Sequence, residues 1–137
     1  MKKYLSNHPI LIMLIILFLS IKTQAQEIPF GKRGVIKFDR QKGDFSAWLA
    51  GKEIAANVIS SLEIAGRIVK SNQYTKRVYT NLHYSDGLGK GRKHIIKLSG
   101  AGLPNLQQII YTYPNHDYFI VQLLVLGSGL TTNHMVP

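Results

Sequence analysis

The sequence predicts an all-β fold, an antiparallel β-sandwich preceded by a helical signal peptide. From residue 35 onward, short runs rich in Val, Ile, Tyr and Phe are separated by Gly, Asn, Asp and Pro. That pattern is typical of strands joined by turns. Before them, residues 10–21 are apolar apart from Ser20 and follow the basic pair Lys2 and Lys3. A positive start followed by an apolar run is the composition of a secretory signal.

The apolar run also has the length of a signal rather than of a membrane anchor. Its extent fits the roughly 7–15 residues of a signal core and is short of the roughly 20 residues that cross a bilayer as a helix. Thr23 and Ala25 supply small residues where a signal peptidase reads. We therefore predict a signal peptide at 1–25, a β-sandwich domain at 26–137 and a secreted or periplasmic location. No stable membrane span is expected after cleavage, and an uncleaved N-terminal anchor is the alternative.

Composition limits the classes of partner. The chain has no cysteine, so an exported domain of this sequence must be stabilised by packing without disulfides. The formal net charge of +10 comes from basic residues scattered along the chain. A nucleic-acid binder concentrates such charge on one face or helix, so no nucleic-acid partner is predicted. A basic surface that contacts anionic polysaccharide or lipid head groups is favoured instead.

The strand runs follow one another along the mature segment. Residues 27–33 are interpreted as a polar N-terminal segment, and strands are predicted at 35–38, 45–50, 77–85, 94–99, 106–113 and 117–126. Alternation in residues 77–85 places Val78, Leu82 and Tyr84 on a core face and His83 toward water. The nearly continuous apolar character of residues 117–126 predicts a central strand buried on both faces.

One segment is ambiguous by pattern alone. Residues 53–70 fit either an amphipathic helix or two strands. An interior Gly66 costs a helix about 1 kcal/mol relative to alanine, and strands are predicted on both sides. We therefore favour strands here.

The chain shows no catalytic, cofactor-binding or metal-binding motif. The mature histidines, which lack ligand spacing, are predicted to be surface residues; they are His83, His94, His116 and His134. The loop at residues 85–92 is neither a dinucleotide fingerprint nor a P-loop and is predicted to be a hairpin loop. No catalytic residue, cofactor or metal ligand is therefore assigned.

Carboxylates and aromatic residues are the remaining candidates for a site. Glycoside hydrolysis needs two carboxylates about 5–10 Å apart, but the acidic residues are isolated in the sequence. Four of them are expected to cap turns; these are Asp39, Asp44, Asp86 and Asp117. Four aromatic residues could stack on a sugar, although packing explains each equally well; they are Trp48, Tyr79, Tyr111 and Tyr113.

Several glycine and turn motifs follow one another along the mature segment. They are KGDFS at 42–46 before GK at 51–52, YSDGLGKG at 84–91, GLP at 102–104 before LQ at 106–107, and LGSGL at 126–130 with NHMVP at 133–137. Together they resemble the N-terminal β-supersandwich of α-galactosidase and raffinose-synthase-type glycoside hydrolases. The similarity spans nearly all of the mature segment.

The resemblance implies a galactose-mutarotase-like supersandwich that is incomplete, with a catalytic (β/α)8 barrel domain expected in the full-length relative. In that family the catalytic carboxylates come from the barrel, so none has a counterpart here. The implied function is the non-catalytic N-terminal portion of an exported α-galactosidase-like glycoside hydrolase acting on α-galactosides, inactive alone. Two alternatives are a free-standing secreted carbohydrate-binding β-sandwich and an assembly role through an exposed sheet edge.

Overall fold

The computed structural model describes residues 25–127 and 132–136. The predicted signal peptide, residues 1–25, lies outside the described residues apart from Ala25. The described part contains eleven strands, β1 (Gln26–Phe30), β2 (Gly34–Phe38), β3 (Phe45–Leu49), β4 (Lys52–Val58), β5 (Ser61–Ile64), β6 (Arg67–Lys70), β7 (Lys76–Asp86), β8 (Gly89–Ser99), β9 (Asn105–Thr112), β10 (Phe119–Leu126) and β11 (Thr132–Val136). Its one helical element is a single 3-10 turn at Ser71–Gln73, and no helix in this part is long and apolar enough to span a membrane.

Every strand pair is antiparallel, which confirms the all-β antiparallel prediction. The first sheet has the order β1-β2-β3-β4, and the second sheet has the order β10-β9-β8-β7. Consecutive strands are therefore neighbours in both four-stranded sheets. A third, smaller sheet has the order β11-β5-β6.

The sheets share one hydrophobic core. Ile36 and Phe38 from the first sheet and Ile96 and Ile110 from the second belong to the same buried cluster. The ring of Phe119 lies on β10 and joins the two sheets, with its centroid 5.0 Å from that of Phe30 and 6.1 Å from that of Phe45. Aliphatic burial and edge-to-face ring contacts therefore hold the first and second sheets together.

Residues 53–70 form strands, as favoured from the sequence. They build most of β4 and all of β5 and β6. The two hairpins in this region turn at Ala50-Gly51 and Ala65-Gly66, where φ is 52° and 80°, and 49° and 75°. Two successive positive φ angles match the right-handed twist of the flanking strands. A Cβ atom added at Gly51 or Gly66 would meet nothing within 4 Å, so both tips point into open space.

The prediction of a polar segment at residues 27–33 is wrong, because Gln26–Phe30 is strand β1. Ile28 is 0% exposed and Phe30 is 2% exposed. The alternation is only three residues long and is interrupted by Pro29. Proline is tolerated here because β1 is an edge strand. The pattern is too short to identify Ile28 and Phe30 as core residues from the sequence.

The predicted faces of β7 are reversed. Val78 and Leu82 are 41% and 45% exposed, whereas Tyr79 packs against the core cluster. Arg77, on the same face as Tyr79, is also partly buried. The aliphatic residues of β7 therefore lie on the face of the second sheet that points away from the core, which we call the outer face.

Strand β10 is also not the central strand that its apolar sequence predicts. It lies at the edge of the second sheet, and only Leu123 within it is buried. The residues Phe119, Val121 and Val125 pack against the core, while Ile120 and Leu126 are each 41% exposed on the outer face. The apolar run of β10 is continuous because one set of alternate residues packs against the core and most of the other set is apolar although it is accessible to solvent.

One arginine connects the two large sheets through backbone carbonyls. The guanidinium of Arg77 on β7 donates to Arg40 O, Gln41 O and Lys42 O in the β2–β3 loop. It also donates to Ser71 O and Asn72 O in the 3-10 turn. Burial lowers the pKa of Arg77, and the carboxylates of Asp39 and Asp44 oppose that shift. Arg77 therefore holds two chain segments that have no strand partner of their own.

Candidate functional site

A pocket of about 320 Å³ opens at the end of the second sheet nearest the β7–β8 turn. Its walls come from strands β7, β9 and β10 and from the residue that follows β9. The lining residues are Tyr84, Asp86, Tyr111, Tyr113, Ile120, Val121 and Gln122. Four of these seven carry hydroxyl or carboxyl groups, and two provide apolar surface.

The absence of a side chain at Gly91 creates the aromatic wall of this pocket. Gly91 on β8 pairs with Tyr84 on β7, and Lys93 pairs with Tyr111 on β9. A Cβ atom at Gly91 would lie 2.8 Å from Tyr113 Cδ1 and would also clash with the carbonyl oxygen of Thr112. Because β8 is bare at this position, the rings of Tyr84 and Tyr111 meet with their centroids 4.9 Å apart.

Asp86 is held in a defined position at one end of the pocket. Its Oδ1 accepts a hydrogen bond from Leu88 N at 2.8 Å, and its Oδ2 accepts one from Tyr113 Oη at 2.7 Å. The bond from Tyr113 is the main cause of the lowered pKa of Asp86. Burial, followed by the bond to Asp86, raises the pKa of Tyr113. At neutral pH the carboxylate is therefore ionised and the phenol keeps its proton.

The opposite wall is polar as well. Tyr111 Oη donates to Gln122 Oε1 at 2.8 Å, which orients the amide so that its NH2 group can donate to a ligand. Lys93 Nζ lies 5.6 Å from the centroid of the Tyr111 ring, within the range of a cation–π contact. The pocket therefore offers ring surface, donors and acceptors close together.

The β9–β10 turn contacts the β7–β8 hairpin and so stabilises the end of the sheet where the pocket lies. The sequence PNHD at residues 114–117 forms the predicted turn, in which His116 N donates to Tyr113 O at 3.2 Å. His116 Nε2 lies 3.1 Å from Leu88 O, so its N–H form donates to the tip of the β7–β8 hairpin. The rings of His116 and Tyr118 stack with their centroids 5.1 Å apart. Two hairpin turns are thus fastened together beside the pocket.

The structure separates the four aromatic residues considered from the sequence. Tyr111 and Tyr113 line the pocket. Trp48 lies in the first sheet with Lys37 Nζ 5.2 Å from its ring centroid, and Tyr79 is turned toward the core. Tyr84 was wrongly predicted to face the core. Its cross-strand partner Gly91 was the available sequence signal, because a ring opposite a bare glycine has room to reach over the sheet.

The prediction of surface histidines is wrong for His94, which is 3% exposed. Its Nδ1 lies 2.8 Å from Tyr79 Oη and its Nε2 lies 3.0 Å from Thr112 Oγ1. Burial, with a smaller contribution from the charge of Arg92, lowers the pKa of His94 to about 4. His94 thus joins three neighbouring strands as a neutral ring. His83 is exposed as predicted, and the His134 side chain lies outside the described residues.

The carboxylates are dispersed over the described part of the chain. Asp39 accepts from Gln41 N and Lys42 N, and Asp86 accepts from Leu88 N, so the capping prediction is confirmed for both. Asp117 instead reaches across to Lys32 N at 3.3 Å. Among the residues that line the pocket, Asp86 alone carries a carboxyl group, whereas glycoside hydrolysis requires two. No group of three His, Asp or Glu residues in the described part could hold a metal ion.

The comparisons with known proteins give no relative. No protein-family model, curated protein or solved structure matches this chain.

Proposed function

We propose that this protein is an exported, non-catalytic β-sandwich domain that binds carbohydrate through the pocket on its outer face. The supporting observation is the pair of half-exposed rings, Tyr84 and Tyr111, beside the fixed carboxylate of Asp86 and the oriented amide of Gln122. Sugars present apolar C–H faces that stack on rings, and hydroxyl groups that donate and accept hydrogen bonds. A small number of placed polar groups in a partly apolar concavity is the general form of a small-ligand site.

The binding proposal is tested with the mature chain, residues 26–137, on a glycan array followed by calorimetry on the best ligand. We expect Tyr84→Ala to weaken binding by about tenfold, which corresponds to roughly 1.4 kcal/mol. Trp48→Ala is the matched control, because Trp48 is also a partly exposed aromatic residue but lies in the first sheet. A blank array, or equal losses in both variants, would contradict the proposal.

A wider proposal follows from the sequence resemblance to α-galactosidase-type enzymes. We infer that the domain is the non-catalytic sandwich portion of an α-galactosidase-like hydrolase and is inactive without a catalytic barrel. The single carboxylate in the pocket supports an inactive isolated domain, since paired carboxylates are needed for this chemistry. The test is an assay of the purified mature chain on aryl α-galactosides, and turnover at the rate of a complete hydrolase would refute the inference.

A further inference from the structure

The outer face of the second sheet continues well beyond the pocket. Along β7 it presents Val78 and Leu82, and along β10 it presents Ile120 and Leu126, each 41–45% exposed. The centre of this face is better covered, since Ile109 on β9 is 1% exposed although it points away from the core cluster. Apolar side chains therefore lie along both edges of the face.

Basic side chains occupy the middle of the same face. Lys93 and Lys97 alternate with Ile95 on β8, so all three project to one side. Their pairing partners on β9 are Tyr111, Gln107 and Ile109. Within the described residues, ion pairs are formed by Lys37 with Glu27 and by Lys42 with Asp39, and neither involves the lysines of this face. The strands place only one carboxylate on it, that of Asp86 at the pocket end.

A second concavity lies at the opposite end of this face. Its volume is about 260 Å³, and its lining includes Lys76, Val78, Lys97, Asn105 and Leu126. Asn105 and Tyr111 lie six positions apart on β9, which is about 20 Å along an extended strand. The two concavities are thus the ends of one long surface with lysines between them.

We propose that this surface binds an anionic polysaccharide, a linear chain of uronic acid residues. The chain runs along the strands from the pocket lined by Tyr84 and Tyr111 toward Asn105. The inference rests on the proposed carbohydrate binding and names the class of carbohydrate. Lys93 and Lys97 project from the same side of β8, and their ammonium groups would pair with the carboxylates of the sugar chain. The amides of Gln107 and Asn105 share their face with these lysines and supply hydrogen bonds to hydroxyl groups.

The placement of charge favours a polymer over a lipid surface. A protein that inserts into a membrane carries its apolar side chains at the centre of contact and its basic side chains around them. On this face Lys93 and Lys97 are on the inner strand β8, and Lys76 is at the end of the edge strand β7. The exposed aliphatic residues are on the edge strands β7 and β10, so the centre of the face is basic and its edges are mainly apolar. A second copy of the chain would bring like charges together, which opposes self-association.

The experiment compares α-1,4-linked oligogalacturonate with its full methyl ester, which has the same length and linkage but no charge. Calorimetry uses the mature chain, the double variant Lys93→Gln/Lys97→Gln and the control Lys32→Gln/Lys52→Gln. The control removes two exposed lysines outside the outer face. We expect the acid form to bind the unmodified protein at least tenfold more tightly than the ester. The first double variant should abolish that preference and the control should keep it.

The outcomes separate the two proposals. If acid and ester bind with equal affinity, the inference about charge is wrong while carbohydrate binding stands. If neither binds, and the glycan array is also blank, both proposals fail. If the control variant loses as much affinity as the outer-face variant, the attraction is nonspecific and the inference is overturned. It is also overturned if vesicles containing phosphatidylglycerol bind with the same dependence on Lys93 and Lys97 and displace the oligogalacturonate.

Discussion

Tyr113 donates its phenolic proton to Asp86 Oδ2 at 2.7 Å and thereby joins the end of β9 to the tip of the β7–β8 hairpin. The two residues are 27 positions apart in the chain. Tyr113 is 1% exposed, so its ring is held in place by packing. Its hydroxyl group then fixes the position of the more accessible Asp86 carboxylate. The geometry of the pocket depends on this contact.

Removing the Tyr113 hydroxyl should release Asp86. We expect Tyr113→Phe to raise the pKa of Asp86 toward its ordinary value, because the hydrogen bond from Tyr113 is the largest cause of its lowered pKa. The measurement is an NMR titration of the side-chain carboxyl carbon. Tyr111→Phe is the control, since that hydroxyl donates to Gln122 instead. An unchanged Asp86 pKa in Tyr113→Phe would show that the carboxylate is held by other contacts.

Arg77 is expected to be the most sensitive polar residue for stability. Arg77→Met keeps the aliphatic stem but leaves five backbone carbonyls without their donor. We expect the free energy of unfolding to fall by roughly 2 kcal/mol or more, because a hydrogen bond that involves a charged group makes a net contribution of about 1.5–3 kcal/mol. Urea denaturation measures this loss.

The control for Arg77 is Arg67→Met, since Arg67 is exposed on β6. A surface change of this kind alters stability by about 0.5 kcal/mol or less. Arg77→Lys should recover only part of the stability, because an ammonium cannot reproduce the planar fork of the guanidinium. Full recovery by lysine would mean that the charge matters and the geometry does not.

His94 should make the protein less stable in mild acid. The pKa of His94 is lowered from 6.5 to about 4 in the folded protein. Between these values the unfolded chain binds more protons than the folded one, so the free energy of unfolding falls as the pH decreases from 6.5 and levels off below about 4. Since one pKa unit corresponds to about 1.4 kcal/mol, the lowering of the pKa from 6.5 to about 4 makes the loss attributable to His94 on the order of 3 kcal/mol.

The contribution of His94 is isolated by measuring urea denaturation at several pH values for the unmodified protein and for His94→Gln. The glutamine variant should be less stable at neutral pH but should lose less additional stability on acidification. His116→Gln is the control, because His116 is only half-buried. Parallel pH profiles for the unmodified protein and His94→Gln would rule out His94 as the source of the acid sensitivity.

Gln108 is a site where substitution should increase stability. It is 1% exposed on the core side of β9, and both its side-chain nitrogen and oxygen lack a hydrogen-bond partner. An unpaired buried polar group costs about 1–3 kcal/mol, so Gln108→Leu should raise the free energy of unfolding by about 1 kcal/mol or more. Gln107→Leu, on the outer face, should change it little. A destabilised Gln108→Leu variant would indicate that the amide has a partner in solution.

The sequence predicted the strands better than it predicted their environment. Ala50-Gly51 and Ala65-Gly66 supply the turn chemistry that a hairpin needs, and the ambiguous segment between them did form strands. A period of two identifies two faces but does not say which one is buried. For β7 the aliphatic face, with Val78, points outward. On the core side, the hydroxyl group of Tyr79 meets the buried ring of His94 on the neighbouring strand β8.

The candidate site was only partly predictable, because the sequence does not show which side chains the strand pairing brings together. Tyr111 and Tyr113 could be named as possible platforms for a sugar from the sequence, because an aromatic side chain is all that such a platform requires. Asp86 and Gln122 could not be joined to them, since the pocket forms only when β7 and β10 occupy opposite edges of one sheet. The predicted hairpin loop at residues 85–92 is shorter in the structure, because β7 extends to Asp86 and β8 begins at Gly89. Gly91 therefore lies within β8, and its role depends on the strand register that brings Tyr113 beside it.

The sequential strand order of both large sheets has a consequence for how the chain folds. Each of the two meanders closes short loops between adjacent strands, and short loops close quickly and at a small entropic cost. The pairing of β11 with β5 spans much of the chain and must form later or more slowly. Pulse-labelling hydrogen exchange should therefore find early amide protection within the two meanders and late protection in β5.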